Sequence, residues 1–121
     1  MKNSIKSQRQ LRVGQQLKHI ISEVITLGDF QNEKIRGVSI TVTEVNISPD
    51  LKKANIFVIS RHSNKSFIKY LNDENFIFKK RIAEKLKLRF VPQLKFRLDS
   101  TFEYANKIEK ILKEPKVQKD L

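Results

Sequence analysis

The stretch FKKRIAEKLKLRFVPQLKFRL, residues 78–98, contains the two hydrophobic patterns that decide the fold. Phe78, Ile82 and Leu86 recur every four residues, which is the spacing of one face of an α-helix. Pro92 ends this pattern, because proline lacks the N–H that a helix interior requires. Beyond the proline, apolar and polar residues alternate as they do in a half-buried β-strand. The stretch therefore predicts a helix that is followed closely by a strand.

A shorter helix is expected just before this one. Asn64 is a candidate N-cap for the short helix, and Asp73 or Asn75 is one for the longer helix, which we expect to run to about Leu88. Only residues 72–75 separate the two helical patterns. The sequence therefore predicts a helix–kink–helix unit.

The N-terminal half predicts one long helix and then a strand. Apolar residues recur at helical spacing over residues 7–27, and Gly28 is a suitable stop. A polar loop leads to a strand over residues 38–48, in which the alternation changes phase near Thr43 and Glu44. Such a change of phase indicates a β-bulge.

A hairpin is the natural continuation. Residues 48–50, Ser-Pro-Asp, are typical of a turn, and apolar residues alternate again from Ala54 onward. Phe57 and Ile59 make the other face of this second strand apolar as well. We therefore expect the second strand to be central in the sheet or covered on both sides.

The C-terminal part predicts one further helix, which Ser100 and Glu103 open with the spacing of a capping box. We divide the chain into a flexible basic N-terminus, residues 1–6, a single domain, residues 7–113, and a disordered tail, residues 114–121. A chain of 121 residues with 39% hydrophobic residues supplies one core but not two. Three strands cannot close a barrel, so we expect an α+β domain with helices on one face of a small mixed sheet.

The net charge of +12 is confined to two segments. Residues 1–20 carry +5 and residues 63–97 carry +7, whereas acids and bases balance in residues 21–62 and 98–121. Lysine that merely solvates a surface would not leave two neutral segments. A concentrated positive charge predicts a polyanionic partner, either nucleic acid or an anionic lipid surface.

Other functional classes find little support in the sequence. The chain has no cysteine, and its basic N-terminus lacks the apolar core of a secretory signal, so we expect a cytoplasmic protein without disulfides. No apolar run approaches the roughly 20 residues that span a membrane. His19 and His62 lie in no metal-ligand or catalytic pattern. We expect no enzyme, metal, cofactor or small-molecule substrate.

Particular residues carry a resemblance to a known family. They are Arg12-Val13, the run Val42-x-x-Val45-x-Ile47-Ser48-x-Asp50-Leu51-x-x-Ala54, the run Phe78-Lys79-x-x-Ile82-Ala83-x-x-Leu86-x-Leu88-Arg89-x-Val91-Pro92-x-Leu94-x-Phe96, and Asp99 with Ile108. With these residues the chain resembles the ribosome-binding factor A family, over roughly residues 7–112. The resemblance implies a type II K-homology-like fold, in the order α-β-β-α-kink-α-β with a C-terminal helix.

The resemblance also implies a function. Proteins of this family bind the small ribosomal subunit and its RNA during late maturation, near the decoding region, and take part in cold adaptation. On this basis we expect a monomer whose helix–kink–helix unit faces RNA. An Ala-x-Gly normally forms the family's kink, but here the corresponding residues are Glu74, Asn75 and Phe76. Asn75 is expected to adopt the left-handed turn in place of glycine, and Glu74 to repel phosphate.

Eleven cations are the candidate RNA contacts. They are Lys79, Lys80, Arg81, Lys85, Lys87 and Arg89 on the second helix and its exit, Lys95 and Arg97 on the third strand, and Lys6, Arg9 and Arg12 near the N-terminus. We expect the two charged segments to converge on one exposed patch. Arg89 has an alternative structural interpretation, a pairing with Asp99 or with helix-terminal carbonyls. Four aromatic residues are in principle able to stack on bases, namely Phe76, Phe78, Phe90 and Phe96. Phe78 and Phe96 have the spacing of core residues, and Phe76 is the one candidate to test.

Two other functions remain open from the sequence. One is a stand-alone K-homology-like regulator of single-stranded RNA, although the Gly-x-x-Gly loop of ordinary K-homology domains is missing. The other is a basic adaptor that docks on an acidic protein or an anionic membrane.

Overall fold

A computed structural model describes residues 6–61 and 65–101 of the chain. The elements are α1 (Gln8–Leu27), β1 (Ile40–Ile47), β2 (Lys53–Ser60), α2 (Ser66–Asp73), α3 (Asn75–Lys85) and β3 (Gln93–Leu98). This order matches the predicted one. Ser100 and Thr101 have helical backbone, but the rest of the predicted C-terminal helix lies outside the described residues. The predicted flexible N-terminus and disordered tail lie largely or wholly outside them too.

Local signals set both ends of α1. The Ser7 hydroxyl accepts a hydrogen bond from the Gln10 N–H at 3.0 Å, and the Gln10 side chain accepts one from the Ser7 N–H at 2.9 Å. This reciprocal capping box satisfies two N–H groups that a helix start leaves unpaired. Gly28 ends the helix in the left-handed conformation, with φ of 68°, and its N–H donates to the Val24 carbonyl. The stop predicted at Gly28 is confirmed.

The sheet has the order β1-β2-β3, in which β1 pairs antiparallel with β2 and β2 pairs parallel with β3. The predicted hairpin, the mixed sheet and the central position of β2 are therefore confirmed. The register between β1 and β2 shifts between Val42 and Glu44, where the sequence predicts a bulge. Thr43 is the one extra residue of β1 at this point. It returns the apolar residues that follow to the same face of the sheet as Val42.

The core lies between the helices and one face of the sheet, as the two-layer prediction requires. Leu17 and Ile21 of α1 are fully buried against the same cluster as Ile56 and Val58 of β2. Phe78 of α3 also belongs to it, and its ring lies 4.8 Å from that of Phe96 in β3. Phe78 and Phe96 are therefore core residues, as their spacing predicts.

The end of α3 differs from the prediction. The helix ends at Lys85, and Leu86 is already extended, with φ of −118° and ψ of 135°. Leu86 and Leu88 are both half-buried against the core. Two residues that are two positions apart share a face only in extended chain, so burial of both leucines requires the helix to stop early. The prediction of a helix to about Leu88 is wrong by one turn.

The N-cap of α2 differs from the prediction. Lys65 occupies the N-cap position without a side-chain hydrogen bond. The predicted cap, Asn64, lies outside the described residues. Only Glu74 separates α2 from α3, so the two helices form the predicted unit with a one-residue kink.

Candidate nucleic-acid interface

Three of the predicted cations are consecutive residues of α3. Lys79 and Lys80 are exposed, while Arg81 is half-buried and its guanidinium lies 3.6 Å from the Glu84 carboxylate. Successive helical residues are separated by about 100°, so Lys79 and Arg81 lie on opposite flanks of α3. Arg81 faces the groove between α1 and α3, which Val24 also lines. Arg81 is thus partly a structural residue, whereas Lys79 and Lys80 are open to solvent.

The exit of α3 presents the next cations. Lys85 is the last helical residue, and Lys87 and Arg89 follow in the segment that leads to β3. All three are exposed. Lys87 and Arg89 alternate with the half-buried Leu86 and Leu88, so their side chains project away from the core.

Arg89 lies in an open cleft of about 530 Å³ at one end of the sheet. The β1–β2 turn contributes Lys52 to this cleft, and the start of α1 contributes Arg9. Phe90 also lines it, with the Arg89 guanidinium carbon 5.6 Å and the Lys52 ammonium 6.0 Å from the centre of its ring. We call this group, Arg9, Lys52, Arg89 and Phe90, the turn cleft. The turn cleft brings together Arg9 from the first charged segment and Arg89 from the second.

The position of Arg89 rules out one of its predicted roles. The turn cleft lies beside the β1–β2 turn, where Gln93 begins β3 by donating its N–H to the Lys52 carbonyl at 2.8 Å. Asp99 follows the far end of β3, where its N–H donates to Val58 and its carboxylate accepts from the Thr43 hydroxyl at 2.5 Å. A six-residue strand of roughly 20 Å therefore separates Arg89 from Asp99, and the predicted pairing is wrong.

The hydrogen bonds of Asp50 shape the turn that carries Lys52. Its Oδ1 accepts from the Ser48 hydroxyl at 2.6 Å and from the Lys52 N–H at 3.0 Å. The hydroxyl of Ser48, and after it the N–H of Lys52, lower the pKa of the Asp50 carboxyl below its ordinary value. Leu51 adopts a left-handed conformation with φ of 61°. The turn predicted at residues 48–50 is confirmed, and Asp50 holds it together.

Lys95 and Arg97 lie on the other side of the sheet from the helices. Leu94 and Phe96 of the same strand are buried, so the two cations project from the outer face and are exposed. The Arg97 Nε donates to the Asn55 side-chain oxygen at 2.8 Å. Their shared strand face is as predicted.

The N-terminal cations divide between two places. The Lys6 ammonium donates a hydrogen bond to the Asn46 side-chain oxygen on β1. Arg9 lines the turn cleft, and Arg12 is exposed one turn further along α1. Ten of the eleven predicted cations are exposed, the exception being Arg81.

The eleven cations do not share one face, so the prediction of a single patch fails for the full set. The structure unites Arg9 with Arg89 in the turn cleft, keeps Lys79 and Lys80 on the helical layer, and places Lys95 and Arg97 across the sheet. β3 is an edge strand. Charge from the helices and charge from the outer sheet face are separated by the thickness of the two layers.

Two of the three kink residues, Glu74 and Asn75, differ from their prediction. Glu74 is only 5% exposed, and its carboxylate accepts from the N–H groups of Gln31 at 2.6 Å and Asn32 at 3.0 Å. It therefore holds the loop after α1 and is turned away from solvent. Asn75 is helical, and among the described non-glycine residues positive φ occurs at Leu51 alone, so Asn75 does not take the left-handed turn. Phe76 is 52% exposed, as a stacking candidate must be.

Asn72 and Asn75 attach the kink to the edge of the sheet. The Asn72 side-chain amide donates to the Phe96 carbonyl at 3.1 Å and accepts from the Phe96 N–H at 2.9 Å. The Asn75 amide donates to the Leu94 carbonyl at 2.9 Å. These two side chains satisfy backbone groups that an edge strand would otherwise leave open.

The sequence interpretation missed Lys52 and Asn72, and it placed Phe90 behind Phe76 as a stacking candidate. Lys52 belongs to an electrically neutral segment, so partition of the charge along the chain did not single it out. Phe90 continues the apolar alternation of Leu86 and Leu88, which predicts burial, whereas the structure leaves it 58% exposed. No local signal identifies Asn72, because its partner is 24 residues away.

The described part of the chain shows no group of three or more His, Cys, Asp or Glu residues that could hold a metal ion. Within residues 6–61 and 65–101, no helix has both the length and the apolar character needed to cross a membrane.

Comparison with known proteins agrees with this geometry. Residues 9–112 match the model of the family described as ribosome-binding factor A. A ribosome-binding factor A from Afipia carboxidovorans is 38% identical over 117 residues, which cover 95% of this chain and 83% of the relative.

Solved structures show the same fold. The crystal structure of ribosome-binding factor A from Thermus thermophilus superposes with a TM-score of 0.63 at 19% identity, over 74% of this chain and 94% of that one. A homology model of the Thermus thermophilus protein, fitted into a cryo-electron microscopy map of its complex with the 30S subunit, gives a TM-score of 0.57 at 20% identity, over 69% of this chain and 88% of that one. The K-homology-like α+β fold is therefore shared.

Proposed function

The chain belongs to the ribosome-binding factor A family, and from that premise we propose that it is a non-enzymatic assembly factor that binds folded RNA of the small ribosomal subunit. We place its action late in maturation, near the decoding region, as a cytoplasmic monomer with a role in cold adaptation. One observation supports this proposal above the others. Ten of the eleven predicted cations of this chain are exposed to solvent. The Thermus thermophilus homology model, to which the chain is structurally similar, was fitted into a map of a 30S complex.

The distribution of charge favours a folded RNA over a flat or linear polyanion. Lys79 and Lys80 on the helical layer, and Lys95 and Arg97 on the outer sheet face, point in different directions. A single straight phosphate backbone reaches only one of these faces. RNA that folds around the domain reaches several, and structured RNA is recognised mainly by shape and by phosphate contacts.

The kink acts through its flanking side chains. The Glu74 carboxylate is turned inward and the Asn75 amide is bound to β3, so neither residue offers the open backbone of a Gly-x-x-Gly clamp. Phe76, Lys79 and Lys80 remain open to solvent on the first two turns of α3. We assign the kink's RNA contact to these three residues.

Co-sedimentation tests the proposal directly. The unsubstituted chain is expected to sediment with free small subunits and only weakly with finished ribosomes. If about six phosphates are neutralised, raising the salt from 50 to 200 mM weakens binding on the order of a thousandfold, because each contact releases a counterion. Equal binding to subunits and finished ribosomes, or binding that ignores salt, contradicts the proposal.

A matched pair of substitutions tests the role of α3. Lys80→Gln removes one exposed charge from α3, and Lys34→Gln removes one from the electrically neutral segment. We expect only Lys80→Gln to weaken binding to small subunits and to lower the slope of log affinity against log salt by about 1. Equal effects of the two substitutions would indicate attraction by net charge alone.

The other two functions give different results. A stand-alone regulator of single-stranded RNA would bind short oligonucleotides tightly and sequence-selectively, in the absence of subunits. An adaptor for an acidic protein or an anionic membrane would keep its partner after ribonuclease treatment. Loss of the partner on ribonuclease treatment, together with weak binding to short oligonucleotides, supports the assembly factor.

A further inference from the structure

The turn cleft combines positive charge with an exposed aromatic ring. Arg9, Lys52 and Arg89 line it together with Asp50, so its formal balance is +2. Phe90 is 58% exposed, as Phe76 is at 52%, whereas Phe78 and Phe96 are buried. With about 530 Å³, the cleft falls in the size range of small-molecule and cofactor sites.

Hydrogen bonds fix the backbone around the cleft, and therefore the backbone positions of Lys52 and Arg89. The Gln93 N–H donates to the Lys52 carbonyl at 2.8 Å, which ties the segment after Phe90 to the β1–β2 turn. The Ser48 hydroxyl accepts from the Lys53 N–H at 3.0 Å within that turn. Leu51 keeps its left-handed φ of 61° there, a conformation that is costly for a leucine.

We propose that the turn cleft holds one unpaired nucleotide of the bound RNA, with its base stacked on Phe90 and its flanking phosphates contacted by Arg9, Lys52 and Arg89. This inference rests on the proposed function and specifies a contact within it. The Lys52 ammonium, 6.0 Å from the ring centre, is at the limit of a cation–π contact. A base displaces it at little cost, because stacking on an aromatic ring is stronger than an exposed cation–π contact.

Phosphate alone does not explain the cleft. Cations alone suffice to contact phosphates. Only a planar group gains from an exposed ring between two cations, and in RNA the bases of paired helices have their faces covered by stacking. An acidic peptide would use the cations but leave the ring unmatched. The chemistry therefore favours an unstacked base.

A single tryptophan reports on the cleft. The chain contains no tryptophan, so Phe90→Trp introduces one fluorophore there. Ser39→Trp is the matched control, because Ser39 is exposed, belongs to the electrically neutral segment and lies at the opposite end of β1 from the turn cleft. The probes are a single-stranded RNA octanucleotide, a fully paired two-stranded RNA duplex at the same phosphate concentration, and polyglutamate.

We expect the octanucleotide to quench Trp emission in Phe90→Trp at least twice as strongly as the duplex does, and polyglutamate not to quench it. Equal quenching at the two tryptophan positions, equal quenching by the octanucleotide and the duplex, quenching by polyglutamate, or no quenching by RNA would each overturn the proposal.

A second measurement uses small subunits and separates stacking from charge. Phe90→Leu keeps an apolar side chain but removes the ring, and is expected to lower subunit affinity roughly tenfold without changing the salt slope. Arg89→Gln is expected to lower the slope by about 0.7 to 0.9, because one phosphate contact is lost. Thermal unfolding midpoints verify that both variants fold.

Failure of this inference is distinguishable from failure of the proposed function. If the unsubstituted chain sediments with small subunits and Phe90→Leu binds them equally well, the nucleotide site is wrong and the assembly function stands. If the unsubstituted chain does not bind small subunits at all, the proposed function is wrong irrespective of Phe90.

Discussion

Asn72 pairs with Phe96 as a neighbouring strand would, because its side-chain amide both donates to the Phe96 carbonyl and accepts from the Phe96 N–H. The two residues belong to α2 and to β3. Through this pair the helix–kink–helix unit is fixed to the edge of the sheet. The orientation of Phe76, Lys79 and Lys80 relative to the sheet therefore depends on a contact made by none of these three residues.

Asn72→Ala tests this attachment. It leaves the N–H and carbonyl of Phe96 without their partner, which is expected to lower the free energy of unfolding by about 1–3 kcal/mol. Urea denaturation measures the change. Asn46→Ala serves as control, because the Asn46 amide accepts from the exposed Lys6 ammonium and its loss leaves the lysine in water. A midpoint shift no larger than that of the control contradicts the role of Asn72.

Glu74→Gln tests whether the Glu74 carboxylate stabilises the fold or lies at the RNA interface. The buried carboxylate accepts from two N–H groups, of Gln31 and Asn32, and hydrogen bonds to a charged group contribute about 1.5–3 kcal/mol. We expect a loss of stability in that range in urea denaturation, and no gain in affinity for small subunits. Tighter binding with an unchanged unfolding midpoint would instead mean that Glu74 faces the RNA.

The loss of stability caused by Asp50→Asn is expected to depend on pH, and the direction of that dependence follows from the pKa of Asp50. The pKa of Asp50 is lowered in the folded chain by hydrogen bonds from Ser48 and Lys52, so its carboxylate contributes stability above its unfolded pKa. That contribution disappears as the pH falls through the folded pKa. The difference in urea midpoint between Asp50→Asn and the unsubstituted chain is expected to be larger at pH 7 than at pH 3. A difference that grows towards pH 3 would reverse the assignment.

Two glycines of the first helix are expected to respond oppositely to alanine. A Cβ at Gly14 would meet the Val45 carbonyl at 3.4 Å, an ordinary contact, so Gly14→Ala is expected to stabilise the chain by up to about 1 kcal/mol through helix propensity. Gly28 has φ of +68°, so Gly28→Ala is expected to destabilise it by about 1–2 kcal/mol. Thermal unfolding of both variants measures these changes in stability. Midpoint shifts of the same sign in the two variants would contradict this account.

Much of the fold was predictable from the sequence, because its signals act over short distances. The capping residue Ser7, the stop at Gly28 and the bulge at Thr43 each depend on neighbours within a few positions. The alternation around Leu94 identified β3 in the same way. Helical and strand periods are properties of adjacent residues, so the order of elements and the faces they bury are encoded locally.

The arrangement of the site was decided by contacts between distant segments. The amino-acid sequence determined that positive charge is confined to two segments, but only the tertiary structure brought Arg9 and Arg89 to one cleft and added Lys52 from a neutral segment. It also turned Glu74 inward, onto N–H groups more than 40 residues away. Side-chain direction at such points is set by the packing of whole elements against each other, and no local pattern records that packing.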